Sequence, residues 1–202
     1  MEKDDLHAFL RSRRSIRRFK PDPVPNDCIL RVLETAIYAP SAHNLQPWRF
    51  AVITSSVVKE SLAKAITARF RQDMQVDGTP EEELQARINR TVCRTVDAPV
   101  IVVLCRETTQ VKAESSALGR QEEVLMATQS VALAGLQLLL AAHAEGLGGI
   151  WICWPLFAPA ETRQALGLSA AWEPQGMFFL GYPYEQPEPP VRPPQHDITL
   201  WI

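Results

Sequence analysis

The chain is 202 residues long, 46% hydrophobic and 22% charged, with a formal net charge of −2. That composition excludes a largely disordered chain, and the length suits a single domain over residues 1–202 better than two. The near-neutral balance gives no general field for nucleic acid or an anionic membrane, so anion recognition must come from a local cluster.

In chain order, residues 26–39 place Ile29, Val32, Leu33, Ala36 and Ile37 on one helical face, and Pro40 ends the run. Residues 50–54 and 99–105 are short β-branched runs bounded by breakers, the pattern of strands covered on both faces. Between them, 56–72 and 81–95 read as helices joined by the turn Asp77-Gly78-Thr79-Pro80. Residues 124–144 carry no charge over a length that meets the threshold for a membrane span. Thr128, Gln129, Ser130, Gln137 and His143 interrupt that run, and Arg120, Glu122 and Glu123 precede it. These favour a helix buried on nearly all sides, in the core or in a subunit interface. A glycine-rich turn at 146–149, a strand over 150–153, a short helix near 159–167 and a last core strand over 176–181 follow. From Pro183 to Pro194 six of twelve residues are proline, so this stretch is extended and stays out of a central sheet. The final residues, Ile198-Thr199-Leu200-Trp201-Ile202, are apolar enough to call for a surface to pack on.

Several features carry no chemistry of their own. Cys28, Cys93, Cys105 and Cys153 lack CxxC spacing, and no signal-like segment precedes the helix at 26–39, so free thiols in a cytoplasmic protein are expected. His7, His43, His143 and His196 show no ligand spacing, so no metal is expected. Gly146, Gly148 and Gly149 lie between a helix and a strand, the reverse of the Rossmann order.

Two segments are more informative. Residues 11–20 hold six basic side chains and no acid. Arginine forks match phosphate bidentately, and Ser15 adds a hydroxyl. Composition leaves a phosphate site, a solvated basic face and a nucleic-acid patch all open. Residues 39–48, Ala-Pro-Ser-Ala-His-Asn-Leu-Gln-Pro-Trp, form a stiff polar loop able to read the edge of a planar heterocycle. As a lone feature this loop reads first as a helix stop and a turn into the next strand, with Trp48 filling the core.

Arg-Arg-Ser-Ile-Arg-Arg-Phe at 13–19 followed by that loop resembles the nitroreductase-like flavoprotein family. The likeness continues through the Ala-rich helix, the Gly-Leu-Gly-Gly turn, the Trp151-Ile152 strand, the Gly181-Tyr182-Pro183 strand end and Arg192 in the proline tract. It implies an α+β fold, a three-layer α/β/α sandwich with a central mixed, mostly antiparallel sheet. It also implies an intertwined homodimer with 183–202 as an extended C-terminal arm, and no nucleic-acid or membrane partner. FMN is the implied cofactor and NAD(P)H the transient co-substrate, with hydride passed to an electron-poor small-molecule acceptor such as a nitroaromatic or quinone.

The resemblance places Arg13, Arg14, Ser15 and Arg17 at the FMN phosphate, ribityl chain and flavin edge. Pro40, Ser41, Asn44 and Gln46 reach the same flavin from the other subunit. Cys153, Trp154 and Leu156, in a loop running to Phe157, lie against the ring, and Arg192 returns to the phosphate. No catalytic acid or base is implied, because the cofactor carries the chemistry. One departure stands out: a glycine pair common in relatives is replaced by Cys153-Trp154-Pro155. Pro155 has no N–H to aim at the hydride-accepting flavin nitrogen, which makes Leu156 the substitute donor. The longer loop looks more like the nitroreductase-like domain of deazaflavin-coenzyme biosynthesis than like simple nitroreductases. A reductase acting on a deazaflavin coenzyme, or a flavin-binding sensor or carrier with little turnover, are therefore the alternative expectations.

Overall fold

The computed structural model describes residues 3–110 and 116–202. Four strands, β1 (Trp48–Ile53), β2 (Val100–Glu107), β3 (Gly148–Ile152) and β4 (Trp172–Gly181), form a sheet in the order β1-β2-β4-β3 with every pairing antiparallel. Every residue of β2 is buried. Val100, Val102 and Leu104 enter one hydrophobic cluster, and Ile101, Val103 and Cys105 enter the other. Successive strand side chains point to opposite faces, so a strand covered on both sides needs an unbroken apolar run.

Helix α1 (Lys3–Ser12) leaves no mark on the hydrophobic pattern because none of its residues is buried; Asp4 and Asp5 in its first turn and Arg11 in its last suit the helix dipole. One layer over the sheet holds α2 (Asn26–Ala36) and α5 (Ala117–Ala144). The other holds α3 (Ser56–Val76), α4 (Glu81–Asp97), α6 (Trp154–Phe157) and α7 (Pro159–Leu166), with α4 packed on α3. The fold is thus the expected α+β three-layer arrangement. Its mixed character reduces to one parallel bridge, Ser15 to Gly149. The bridge extends no further because the next free N–H groups, of Arg17 and Arg18, donate to Glu185 Oε1 at 2.7 and 3.2 Å.

Helix α5 begins seven residues before the uncharged run. Charged residues do not stop a helix; a cap does, and Ser116 Oγ accepts from Gly119 N–H at 2.9 Å. Within its own chain the helix is buried on one side. Val131, Ala134 and Leu138 recur at helical spacing and join the cluster on the sheet, whereas Leu133 and Leu136 on the outer face remain 44% and 48% exposed. Gly135 lets this helix approach closely. A Cβ there would lie 2.6 Å from the Trp151 ring and 2.8 Å from the Phe178 ring. Gly135→Ala is expected to lower the unfolding free energy by about 1–3 kcal/mol from overpacking, more than the ~1 kcal/mol gained in helix propensity. A urea melt with an unchanged midpoint would show that the two rings can give way.

After β4 the chain runs extended, tied by the Phe19–Pro183 bridge and by Tyr184 N–H to Arg18 O at 3.0 Å. Beyond that the apolar end finds no cover among the described residues: Trp201 is 87% exposed, and Ile198, Leu200 and Ile202 are exposed as well.

Candidate functional site

The basic segment is held as an extended strand, not a flexible tail. Ile16 N–H donates to Gly149 O at 3.1 Å and Lys20 N–H to Tyr182 O at 2.8 Å. Alternation in an extended chain then sends Ile16 into the core and Ser15 and Arg17 to the opposite side. Gly148 makes the approach possible, since a Cβ there would meet Ile16 at 2.7 Å.

Two clefts flank the segment. The smaller, about 520 Å³, is lined by Arg13, Arg14, Lys20, His143 and Gln186 among others. The larger, about 970 Å³, is lined by Arg17, Arg18, Lys59, Arg90, Arg94 and their neighbours. Tyr184 and Glu185 line both, so the clefts meet there.

Positive charge converges at Arg13. Partial burial, then the charges of Arg192 and Arg14, push its guanidinium below the ordinary value. Arg13 has no ion pair among the described residues, so nothing offsets that repulsion. Arg14 braces the turn after α1 by donating to Arg11 O at 2.7 Å and Arg13 O at 3.0 Å. Nearby His143 stacks on Phe9 at 4.8 Å and lies 2.7 Å from Ser12 Oγ. Burial, followed by the charges of Arg13 and Arg14, lowers its pKa and disfavours the imidazolium. Lys59 in the larger cleft donates to the carbonyls of Ala98 and Pro99 at 2.6 and 2.8 Å, and burial holds its ammonium below the usual range.

The loop at 40–46 is preformed under strain. His43, Asn44 and Gln46 all adopt positive φ, at 53°, 53° and 51°, a region that costs on the order of 1–3 kcal/mol each for non-glycine residues. Internal hydrogen bonds hold it: Gln46 N–H to Ser41 Oγ at 3.1 Å and Gln46 Nε2 to Asn44 Oδ1 at 3.2 Å. Helix α5 anchors it from below, with Ser130 Oγ accepting from Ala42 N–H at 3.0 Å and buried Glu123 3.6 Å from His43. Asn44, Gln46 and Pro40 are exposed. The cleft at Arg13 has none of residues 40–46 in its walls.

Beyond β3 the loop forms the short helix α6. Leu156 N–H donates to Cys153 O at 3.0 Å, so the free donor expected there is already used inside the turn. Trp154 packs edge-on against Phe70 and Phe179 at 6.3 and 6.0 Å, facing the α3 and α4 side of the sheet. Cys153, Leu156 and Phe157 stay exposed. One chain therefore puts Arg13 and Arg14 in the smaller cleft within reach of the Arg192 charge, puts Arg17 in the larger cleft, and leaves the loop at 40–46 and Trp154 out of both. Hydrophobic periodicity gave no hint of Arg90, Arg94, His143 or Ser130, whose placement depends on how α4 and α5 are rotated.

A profile of the nitroreductase family matches residues 10–182. The chain belongs to this family. Among its members, YfhC of Bacillus subtilis, provisionally named an NAD(P)H nitroreductase, is 35% identical over 192 residues, 95% of this chain and 91% of that protein. An NADH dehydrogenase of Thermus thermophilus is 33% identical over 202 residues, 98% of this chain and 96% of its own length. The nitroreductase fold itself recurs in a crystal structure from Desulfovibrio desulfuricans, named for a nitroreductase and holding FMN. It superposes with a TM-score of 0.74 at 24% identity, over 100% of this chain and 98% of that one.

Proposed function

We propose that this chain is an FMN-dependent oxidoreductase that takes hydride from NAD(P)H and delivers it to an electron-poor small molecule such as a nitroaromatic or a quinone. The observation that carries the reading is that Arg13 feels the charges of both Arg192 and Arg14 and has no ion pair of its own among the described residues, while Glu185 in the same cleft spends its Oε1 on the N–H groups of Arg17 and Arg18. A phosphate ester fits such a spot, because its charge relieves the repulsion and its oxygens accept from planar guanidinium forks. Family membership, the FMN held by the Desulfovibrio structure and the nicotinamide named for the Bacillus relative support the same assignment.

In this reading Arg13 and Arg192 hold the phosphate, with Ser15 adding a hydroxyl. When bound, the flavin supplies the redox chemistry by accepting a hydride and releasing it to a second substrate. Arg17 and Arg94 line the larger cleft and favour negative charge on whatever ring lies there. The family resemblance also puts the exposed Cys153, Leu156 and Phe157 against the flavin ring, outside the walls of the larger cleft.

The functional unit is a homodimer, with Pro40, Ser41, Asn44 and Gln46 supplied to each flavin by the second subunit. The exposed apolar face of α5, the exposed tail and the absence of residues 40–46 from the walls of their own chain's arginine cleft support this arrangement. A cytoplasmic location fits four cysteines that are all free thiols; neither nucleic acid nor a membrane enters the reading. Purified yellow protein mixed with NADH or NADPH without oxygen is expected to lose its flavin absorbance rapidly. Flavin that stays oxidised with both donors would exclude the hydride-transfer assignment.

A further inference from the structure

Arg87, Arg90 and Arg94 stand three and four residues apart on α4, so they share one face of the helix. That face flanks the buried one formed by Leu84, Thr91 and Thr95. All three arginines are exposed, and none has an ion pair among the described residues. Arg87 lies over the Phe70 ring at 5.8 Å. Arg90 and Arg94 line the larger cleft and, with Arg87, Glu83, Thr91 and Trp154, a further cleft of about 310 Å³. The stripe thus leads outward from the larger cleft, and Arg87 is its outer end.

A molecule whose reacting ring enters the larger cleft trails the rest of its length past these guanidiniums. Like charges at this spacing repel, and an anion set among them removes that cost. Glu83 is the single carboxylate in the outer cleft, against three guanidiniums. We infer that the stripe recognises the adenosine 2′-phosphate of NADPH and makes NADPH the preferred hydride donor, an inference that rests on the hydride-transfer reading above. NADH has the same reactive ring and pyrophosphate but ends in an uncharged ribose. The outermost arginine, set beyond the larger cleft, is where the additional dianion falls. Its planar fork suits a phosphate better than a point charge does.

The test uses flavin-loaded wild type, Arg87→Gln and Arg87→Lys, with rapid-mixing reduction by each nicotinamide and calorimetric titration of adenosine 2′,5′-bisphosphate. Wild type is expected to be reduced with a kcat/KM about tenfold or more higher for NADPH than for NADH. Arg87→Gln is expected to lose about 10- to 100-fold with NADPH, about threefold or less with NADH, and to bind the bisphosphate correspondingly more weakly. Arg87→Lys retains part of the preference, because charge without the fork remains. Equal losses with both donors, a wild type indifferent to the 2′-phosphate, or no binding of the bisphosphate overturn the inference while leaving hydride transfer in place. A loss confined to turnover of nitrobenzoate, but not of neutral nitrobenzyl alcohol, assigns the stripe to the acceptor and also overturns it. Bound flavin that neither nicotinamide reduces removes the donor reading itself, and this inference with it.

Discussion

Arg13→Glu is expected to purify without flavin and to need at least about 10³-fold more FMN for half-saturation than the unaltered protein. The size follows from two contributions. A charge-assisted hydrogen bond to phosphate is lost, worth roughly 1.5–3 kcal/mol. A carboxylate then faces the phosphate, and like charges about 4 Å apart repel by about 4 kcal/mol at the effective dielectric of a protein surface. Together they exceed the roughly 4 kcal/mol that a thousandfold change requires. The fold should tolerate the change, because Arg13 has no ion pair to lose among the described residues and the new carboxylate would find Arg14 and Arg192 close by. The same proximity makes the apo protein a fair control: its melting temperature should stay level or rise as crowded positive charge is relieved. Flavin content at purification and fluorescence titration with FMN measure the effect. A variant that emerges fully yellow would remove Arg13 from the phosphate site.

What the residues disclosed, and what they hid, divides along physical lines. Strand β2 was legible because it is covered on both faces and therefore written as a continuous apolar run. Strand β4 begins at Trp172, earlier than the apolar run at 176–181, because its first half contains Glu173, Pro174 and Gln175. Proline is admitted there by a bulge: Leu104 pairs with Gly176 and Cys105 with Pro174, so Gln175 is the extra residue that shifts the register. No local pattern announces such a shift. The arginine cluster was legible as a local composition, and its consequence at Arg13 was not, since Arg192 arrives from the far end of the chain. The direction of the Leu156 N–H was hidden for a similar reason. Counting the N–H that Pro155 lacks is a sequence operation, but where the next N–H points depends on the turn, and here it points back to Cys153 O.

Leu133→Arg combined with Leu136→Arg is expected to give a well-folded monomer that cannot retain FMN. Within one chain these two side chains face outward on α5 and are about half exposed, so exchanging them for arginines, whose stems can cover the same surface, should change subunit stability by no more than about 1 kcal/mol each. In the proposed dimer the same face meets its symmetry mate, which places each substitution opposite a copy of itself or its neighbour. Four guanidiniums would then be buried without partners, at a cost of several kcal/mol per ion, more than such an interface can absorb. Loss of flavin should follow loss of assembly, because the strained loop at 40–46 can complete a pocket at Arg13 only from another subunit if its own chain keeps it out of that cleft. Light scattering reports the mass and visible absorbance the flavin, on one sample. A yellow monomer would mean that a single chain closes its own pocket, and a dimer that persists would move the interface away from α5.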